Sequence, residues 1–284
     1  MRFLKLVQSA VPALLFAATA PAQSKPGISM DQTMNTITTS ASRTDSVTGV
    51  MHMTSAGTNA RIEIDSGRIV RNVGPFSPGP HAVMIMRDGA SEMVYLNPDK
   101  KEYISIKPFQ MMQGVQKMME SMGGSMKFDT SATHIGIDSL GPGPTIDGHP
   151  TVTYRLTMAM RMTMSMMGQS NVVETQSTQD IQAATDMASF VDLNAGPNRF
   201  AEFSQSMGMN KDLFDKMAAT QRKVRGFPLR SVKHSTTSTN GVTRTTVETI
   251  ETRNIKRVTV PDSAFAIPGD YKPVSMPAMP GAVP

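Results

Sequence analysis

The chain of 284 residues contains no cysteine and no tryptophan, and aromatic side chains make up only 5% of it. The absence of cysteine excludes disulfides, thiolate metal sites, a cysteine nucleophile and a lipid-modified N-terminal cysteine. A chain of this length buries a core without disulfides. The net charge of +5 is too small to indicate general nucleic-acid binding. No run of about 20 apolar residues follows the N-terminus, so we expect no transmembrane anchor.

The N-terminal residues resemble an export signal. Arg2 and Lys5 give a positive start, and residues 6–18 are largely apolar and uncharged. The small residues Ala20 and Ala22 then flank Pro21, which is the pattern of a signal-peptidase site. The sequence therefore predicts a signal peptide over residues 1–22, cleavage after Ala22 and release of the mature chain.

Alternating apolar and polar residues predict strands along most of the remaining chain. Tight turns are indicated at Asp88-Gly89 and Asn240-Gly241, because these pairs favour the backbone that a two-residue hairpin turn requires. The predicted strands cover residues 28–38, 47–53, 60–65, 81–87, 92–96, 102–106, 128–140, 151–166, 172–185, 229–239 and 242–255.

Two segments change to helical spacing. A helix is predicted after Pro108 and is ended by Gly123-Gly124, and a second helical stretch follows Pro197. The apolar stripe of the first helix consists of Met111, Met112, Val115, Met118, Met119 and Met122. No linker divides the chain, so we expect one domain over residues 23–271 and a disordered tail rich in proline and methionine over residues 272–284.

The sequence offers no recognisable catalytic or metal motif. None of the five histidines lies two or four residues from another, which excludes a local zinc motif. Nucleophile-elbow, zinc-protease and phosphate-loop patterns are also missing. We therefore predict no catalytic residue, no metal and no cofactor, and an enzyme is the least supported class.

The most unusual feature is an uninterrupted alternation of five methionines among the 26 of the chain. They are Met158, Met160, Met162, Met164 and Met166. In a strand all five point to one face. Three interpretations follow: an ordinary sheet core, a deformable apolar wall for a lipid or acyl chain, or a thioether site for Cu(I) or Ag(I). Same-face residues lie nearly 7 Å apart along a strand, and no histidine lies in this one, so copper or silver ranks third.

Several short stretches resemble a known family. Residues 84–89 run into residues 93–103 as a strand, an acid-glycine turn and an Asn-Pro turn, similar to the periplasmic lipoprotein carriers of the LolA/LolB kind. Residues 145–154, 226–229 and 265–271 are similar to an uncharacterised domain family near them. The resemblance implies an antiparallel sheet curled into an open half-barrel, with helices on the concave side and acyl chains in an apolar concavity.

Taken together, these signals predict a mainly β fold with helices (α+β), built as a curved antiparallel sheet. The expected function is binding of a hydrophobic ligand without catalysis, with the ladder from Met158 to Met166 and the stripe of the first helix as ligand-binding residues. The expected partners are a lipid or a lipidated protein, and an envelope protein. The resemblance places the chain in the periplasm, with secretion to the medium as the alternative. Metal handling and a structural or interaction role with a filled core remain the alternative functions.

Overall fold

A computed structural model describes residues 24–67, 76–121, 123–166, 169–187, 215–216, 219–220 and 222–275. The predicted signal segment lies outside the described residues. So do most of the helical stretch predicted after Pro197 and the end of the predicted tail. The predicted division into signal, domain and tail therefore stays a prediction.

Twelve strands and one α-helix account for most of the described chain. The first six strands are β1 (Ser24–Ser40), β2 (Thr44–Ala56), β3 (Asn59–Gly67), β4 (Val83–Arg87), β5 (Glu92–Asn97) and β6 (Glu102–Ile106). After helix α1 (Pro108–Ser121) come β7 (Ser125–Pro142), β8 (Thr151–Met166), β9 (Gln169–Ala184), β10 (Phe227–Thr239), β11 (Val242–Pro261) and β12 (Lys272–Pro273). Two short 3-10 helices lie at Thr185–Met187 and Asp262–Phe265.

All twelve strands belong to one open sheet, in the order β12-β6-β5-β4-β3-β2-β1-β11-β10-β9-β8-β7. Two antiparallel meanders, β1 to β6 and β7 to β11, are joined where β1 pairs with β11. The short β12 pairs in parallel with β6. The N-terminal and C-terminal halves therefore form a single hydrogen-bonded surface.

The connection from β6 to β7 requires the sheet to curve. These strands lie ten positions apart in the sheet, which is about 48 Å if the sheet is flat. The 14-residue α1 spans about 21 Å, and the few residues that flank it add at most about 20 Å. The two edges of the sheet must therefore approach one another.

The strand register assigns each side chain to a face, because successive side chains alternate along a strand. One face, which we call the Met face, carries every methionine of these strands whose side chain the structure describes. They are Met30, Met34, Met51, Met53, Met84, Met86, Met93, Met158, Met160, Met162 and Met164. The register therefore brings methionines from distant parts of the chain to one side of the sheet.

The buried core is divided between the two faces. On the Met face, Ile28, Met30 and Met53 form one cluster, with Ile255 packed against it. The turn between β7 and β8 folds over this face, where Ile146 packs beside Leu229. Asp147 in that turn accepts a hydrogen bond from the N–H of Ile255 at 3.0 Å. The described chain thus closes one end of the Met face with a turn.

The fold-class prediction is wrong in its helices. Within the described ranges the protein is nearly all β, and no helix lies on the concave side of the sheet; α1 makes no extended contact with any strand. Irregular segments cover the apolar residues of the strands instead. Phe265 and Ile267 pack on the opposite face of β4 and β5, against Ile85 and Val94, and Phe76 packs against Ile104. Because these segments already bury the apolar strand residues, the sheet needs no helical layer there.

None of the helices in the described part of the chain is long and apolar enough to cross a membrane.

Gly27 marks the tightest approach within the sheet. A Cβ atom at this position would lie 2.2 Å from the backbone oxygen of Ser55 and 2.8 Å from Cγ2 of Val260. We predict that Gly27→Ala lowers the free energy of unfolding by about 1–3 kcal/mol, because the neighbouring backbone must move. Urea denaturation measures the change. Gly269→Ala is the control, since a Cβ there meets nothing within 4 Å, and equal stability of the two variants would contradict the prediction.

Candidate functional site

Four methionines of β8 form a ladder on the Met face: Met158, Met160, Met162 and Met164. Each side chain is half-buried. On the neighbouring strands, Met162 is aligned with Phe128 of β7 and Val173 of β9. The ladder and these two residues form an apolar strip near one edge of the sheet. The strip does not extend along β9, where Ser177, Thr175 and Asn171 lie beside Met158, Met160 and Met164.

The ladder does not belong to any of the five buried hydrophobic clusters found among the described residues. The nearest cluster on β8 is built around Tyr154, which is 8% exposed, and Ile181. The ladder begins at Met158, the next residue after Leu156 on this face, and each of its four side chains stays partly exposed to solvent. A contiguous row of partly exposed apolar side chains on one face is typical of a surface that binds a ligand or another protein.

The other predicted ligand-binding residues are only partly described. Met166 ends β8, and its side chain lies outside the described residues. Met111 is exposed on α1. The side chains of Met112, Val115, Met118 and Met119, and the whole of Met122, lie outside the description. The described residues do not bring α1 against β8, so a contribution of this helix stays a prediction.

An open groove of about 440 Å³ crosses β7 to β11. Most of its lining side chains lie on the face opposite to the ladder, among them His134, Thr157, Thr178 and His234. Met158 also borders the groove, although the register directs its side chain to the Met face. The groove is thus a polar surface feature, separate from the apolar strip.

A hydrogen-bonded chain of polar residues lies on the opposite face, where β1 pairs with β2. Ser29 Oγ is 3.0 Å from Nε2 of His52, and Nδ1 of His52 is 2.8 Å from Oδ1 of Asp31. Asn254 of β11 donates to Oδ2 of Asp31 at 2.7 Å. The hydrogen bonds from His52 and then from Asn254 hold the pKa of Asp31 below its usual range.

Sequence reasoning missed this chain of contacts. The spacing of Ser29 and Asp31 places both on one face of a strand, but it does not show which histidine lies opposite them. That information is in the register, which pairs Asp31 with His52. No motif in the sequence could have revealed it, because the residues come from three separate strands.

No cluster of three or more histidine, aspartate or glutamate side chains placed to hold a metal ion occurs among the described residues. This absence concerns nitrogen and oxygen ligands and does not bear on Cu(I) or Ag(I), which the sulfur of methionine binds.

Comparisons with known proteins give only weak likenesses. No family model matches the chain, and no curated protein matches it. Among solved structures it is similar to a LolA superfamily protein from Nitrosomonas europaea, with 10% identity, a TM-score of 0.32 and coverage of 87% of this chain and 91% of that one. It is also similar to PNGF-II in two crystal forms, with 9% and 8% identity and TM-scores of 0.24 and 0.25. The match covers 31% of PNGF-II. Identities and TM-scores this low do not allow a function of these proteins to be assigned to this chain.

The lowered pKa of Asp31 predicts an acid-sensitive contribution to stability. Because the folded pKa lies below the unfolded value of about 3.9, the contribution is present above that value and is lost as the pH falls through the folded pKa. We expect the free energy of unfolding of the wild type to fall more steeply between about pH 5 and pH 2 than that of Asp31→Asn. Urea denaturation at each pH provides the measurement, and parallel curves would contradict the prediction.

Proposed function

We propose that this chain is an exported binding protein that takes up a hydrophobic ligand on its methionine ladder, without making or breaking a bond. The ligand class is a lipid, or the acyl part of a lipidated protein. The observation that carries the proposal is the ladder itself: four methionines, all half-buried, all on one face and all outside the buried clusters of the described chain.

Burial of apolar surface supplies the affinity. Each methylene of an acyl chain that leaves water contributes about 0.8 kcal/mol, and the thioethers gain by being covered as well. Methionine is unbranched and polarizable, so a row of methionines re-packs around chains of different length. At Met162 the apolar strip offers such a chain contacts on both sides, from Phe128 of β7 and Val173 of β9.

Export is the second part of the proposal. It is supported by the signal-like pattern of residues 1–22. The family resemblance of the sequence favours the periplasm as the destination. In that compartment the partners would be lipids or lipidated proteins, or another protein of the envelope. Handling of Cu(I) or Ag(I) has less support, because same-face residues of one strand lie nearly 7 Å apart.

The ladder is tested by replacing Met160, Met162 and Met164 together with aspartate. We predict that palmitate binding weakens by more than about 100-fold, since burial of even one unpaired carboxylate costs several kcal/mol. Isothermal titration with palmitate measures the affinity, and circular dichroism checks the fold of each variant.

The matched control for this experiment places the same three charges on the other face of the same strand. Ala159, Thr163 and Ser165 are replaced with aspartate, and this variant should bind palmitate as the wild type does. Retained binding in a folded ladder variant, or an equal loss in both variants, would show that the ladder is not the site.

Native mass spectrometry of the exported protein provides an independent prediction. We expect a fraction of the purified molecules to carry an extra mass in the range of a lipid, which solvent extraction then removes. A clean protein mass that stays unchanged after incubation with palmitate would count against ligand binding and favour a structural or interaction role with a filled core.

A further inference from the structure

The polar chain formed by Ser29, His52 and Asp31 has the connectivity of an acyl-transfer site. A nucleophile and its base must lie within about 2.6–3.2 Å, with the base oriented by a third group. The Ser29 Oγ to His52 Nε2 distance is 3.0 Å, and the His52 Nδ1 to Asp31 Oδ1 distance is 2.8 Å. Both contacts meet the requirement, and each uses the ring nitrogen that its role demands.

The charge state of Asp31 fixes the direction of these hydrogen bonds. Its lowered pKa keeps the carboxylate ionised at neutral pH, so it accepts and His52 Nδ1–H donates. In the neutral ring Nε2 is then an acceptor, and the Ser29 hydroxyl donates to it. In that tautomer the hydroxyl proton of Ser29 points at the base that removes it.

A β-bulge holds the third member of the chain in place. Between the pairs Ser29–Lys256 and Asp31–Arg253, two residues of β11 lie opposite one residue of β1. The first of them, Asn254, has a φ of 54°, and its amide donates to Oδ2 of Asp31 at 2.7 Å. Bulges occur frequently beside active sites, where they redirect a side chain. Here the bulge provides Asp31 with a second donor and makes Asn254 a positioning residue.

We propose that Ser29 and His52 form an esterase site on this face, with small, water-accessible carboxylic esters as substrates. The proposal does not depend on the function assigned to the ladder, which lies on the other face of the sheet. Small, water-accessible substrates fit because the three side chains are open to solvent. Those of His52 and Asp31 are 38% and 40% exposed, and Ser29 is half-buried. An ester also needs less assistance than an amide, because an alkoxide is the better leaving group.

The reaction would proceed in two steps, acylation of Ser29 and hydrolysis of the acyl-serine. Ser29 Oγ attacks the ester carbonyl carbon while His52 Nε2 takes the hydroxyl proton, and the same proton passes to the departing alkoxide as the C–O bond breaks. Water then attacks the acyl-serine, His52 removes a proton from it, and the carboxylic acid leaves as Ser29 regains its proton. We assign the role of stabilising the oxyanion to Lys256, the exposed register partner of Ser29, whose positive charge also acts on Asp31.

The test uses the purified full-length protein with two probes, p-nitrophenyl acetate and a fluorophosphonate. We expect turnover of the ester and covalent labelling of one site, which peptide mass spectrometry locates at Ser29. S29A should abolish labelling, and H52Q should lower both rates by about 100-fold or more. D31N should lower kcat with little change in KM, because Asp31 acts on the histidine and not on the substrate.

H234Q is the matched control, since His234 is another strand histidine on the same face and its replacement should leave both rates unchanged. An unlabelled Ser29 in the folded wild-type protein would overturn the proposal. So would a hydrolysis rate in S29A equal to that of the wild type, or an equal loss in H234Q and H52Q. Should S29A fail to fold, the position of the label on the wild-type protein decides the question alone.

Discussion

The pairing of β1 with β11 is the contact on which the rest of the structure depends. It runs from Ser24 opposite Pro261 to Ser40 opposite Arg244 and joins two meanders into one twelve-stranded sheet. A shift of one residue in this pairing would invert one half of the sheet relative to the other. The methionines of β2 to β5 and those of β8 would then lie on opposite faces. The collection of the methionines on one face is therefore a property of register as much as of composition.

The same pairing contains the bulge that shapes the opposite face. Asn254 adopts a left-handed backbone there and turns its amide onto Asp31, while the next residue, Ile255, packs into the core of the Met face. Its N–H is bound by Asp147 in the turn after β7. One local irregularity thus serves both faces: it anchors the turn that covers the Met face and orients the carboxylate beside His52.

Local features of this fold follow from the sequence, and the non-local ones do not. The turn at Asn240-Gly241 is confirmed, with φ values of 48° and 82°, because the preference of these residues is intrinsic. The hairpin at Asp88-Gly89 is confirmed as well, but its loop has four residues, 88–91, because Arg87 pairs with Glu92. The absence of a helical layer could not be foreseen, because it depends on which distant segment packs on the sheet. Here the segment Asp262–Phe265 covers apolar strand residues. The approach of His52 to Ser29 likewise depends on register, which alternation alone does not specify.

The two faces deviate from ordinary sheet design in complementary ways. A sheet optimised only for stability would bury a ladder such as Met158, Met160, Met162 and Met164, or replace it with polar residues, because exposed thioethers gain nothing from water. Such a sheet would also not need a histidine hydrogen-bonded between a serine and an ionised aspartate. A Thr–Thr pair stabilises neighbouring strands without placing a charged group there. Residues that violate local rules without a gain in packing are the ones most often kept for function. By that reasoning the ladder and the Ser29–His52–Asp31 chain are the two candidates for separate sites. The period of two along each strand puts them on opposite faces, and the register places Met158 four strands from β1 and level with Thr38, nine residues from Ser29.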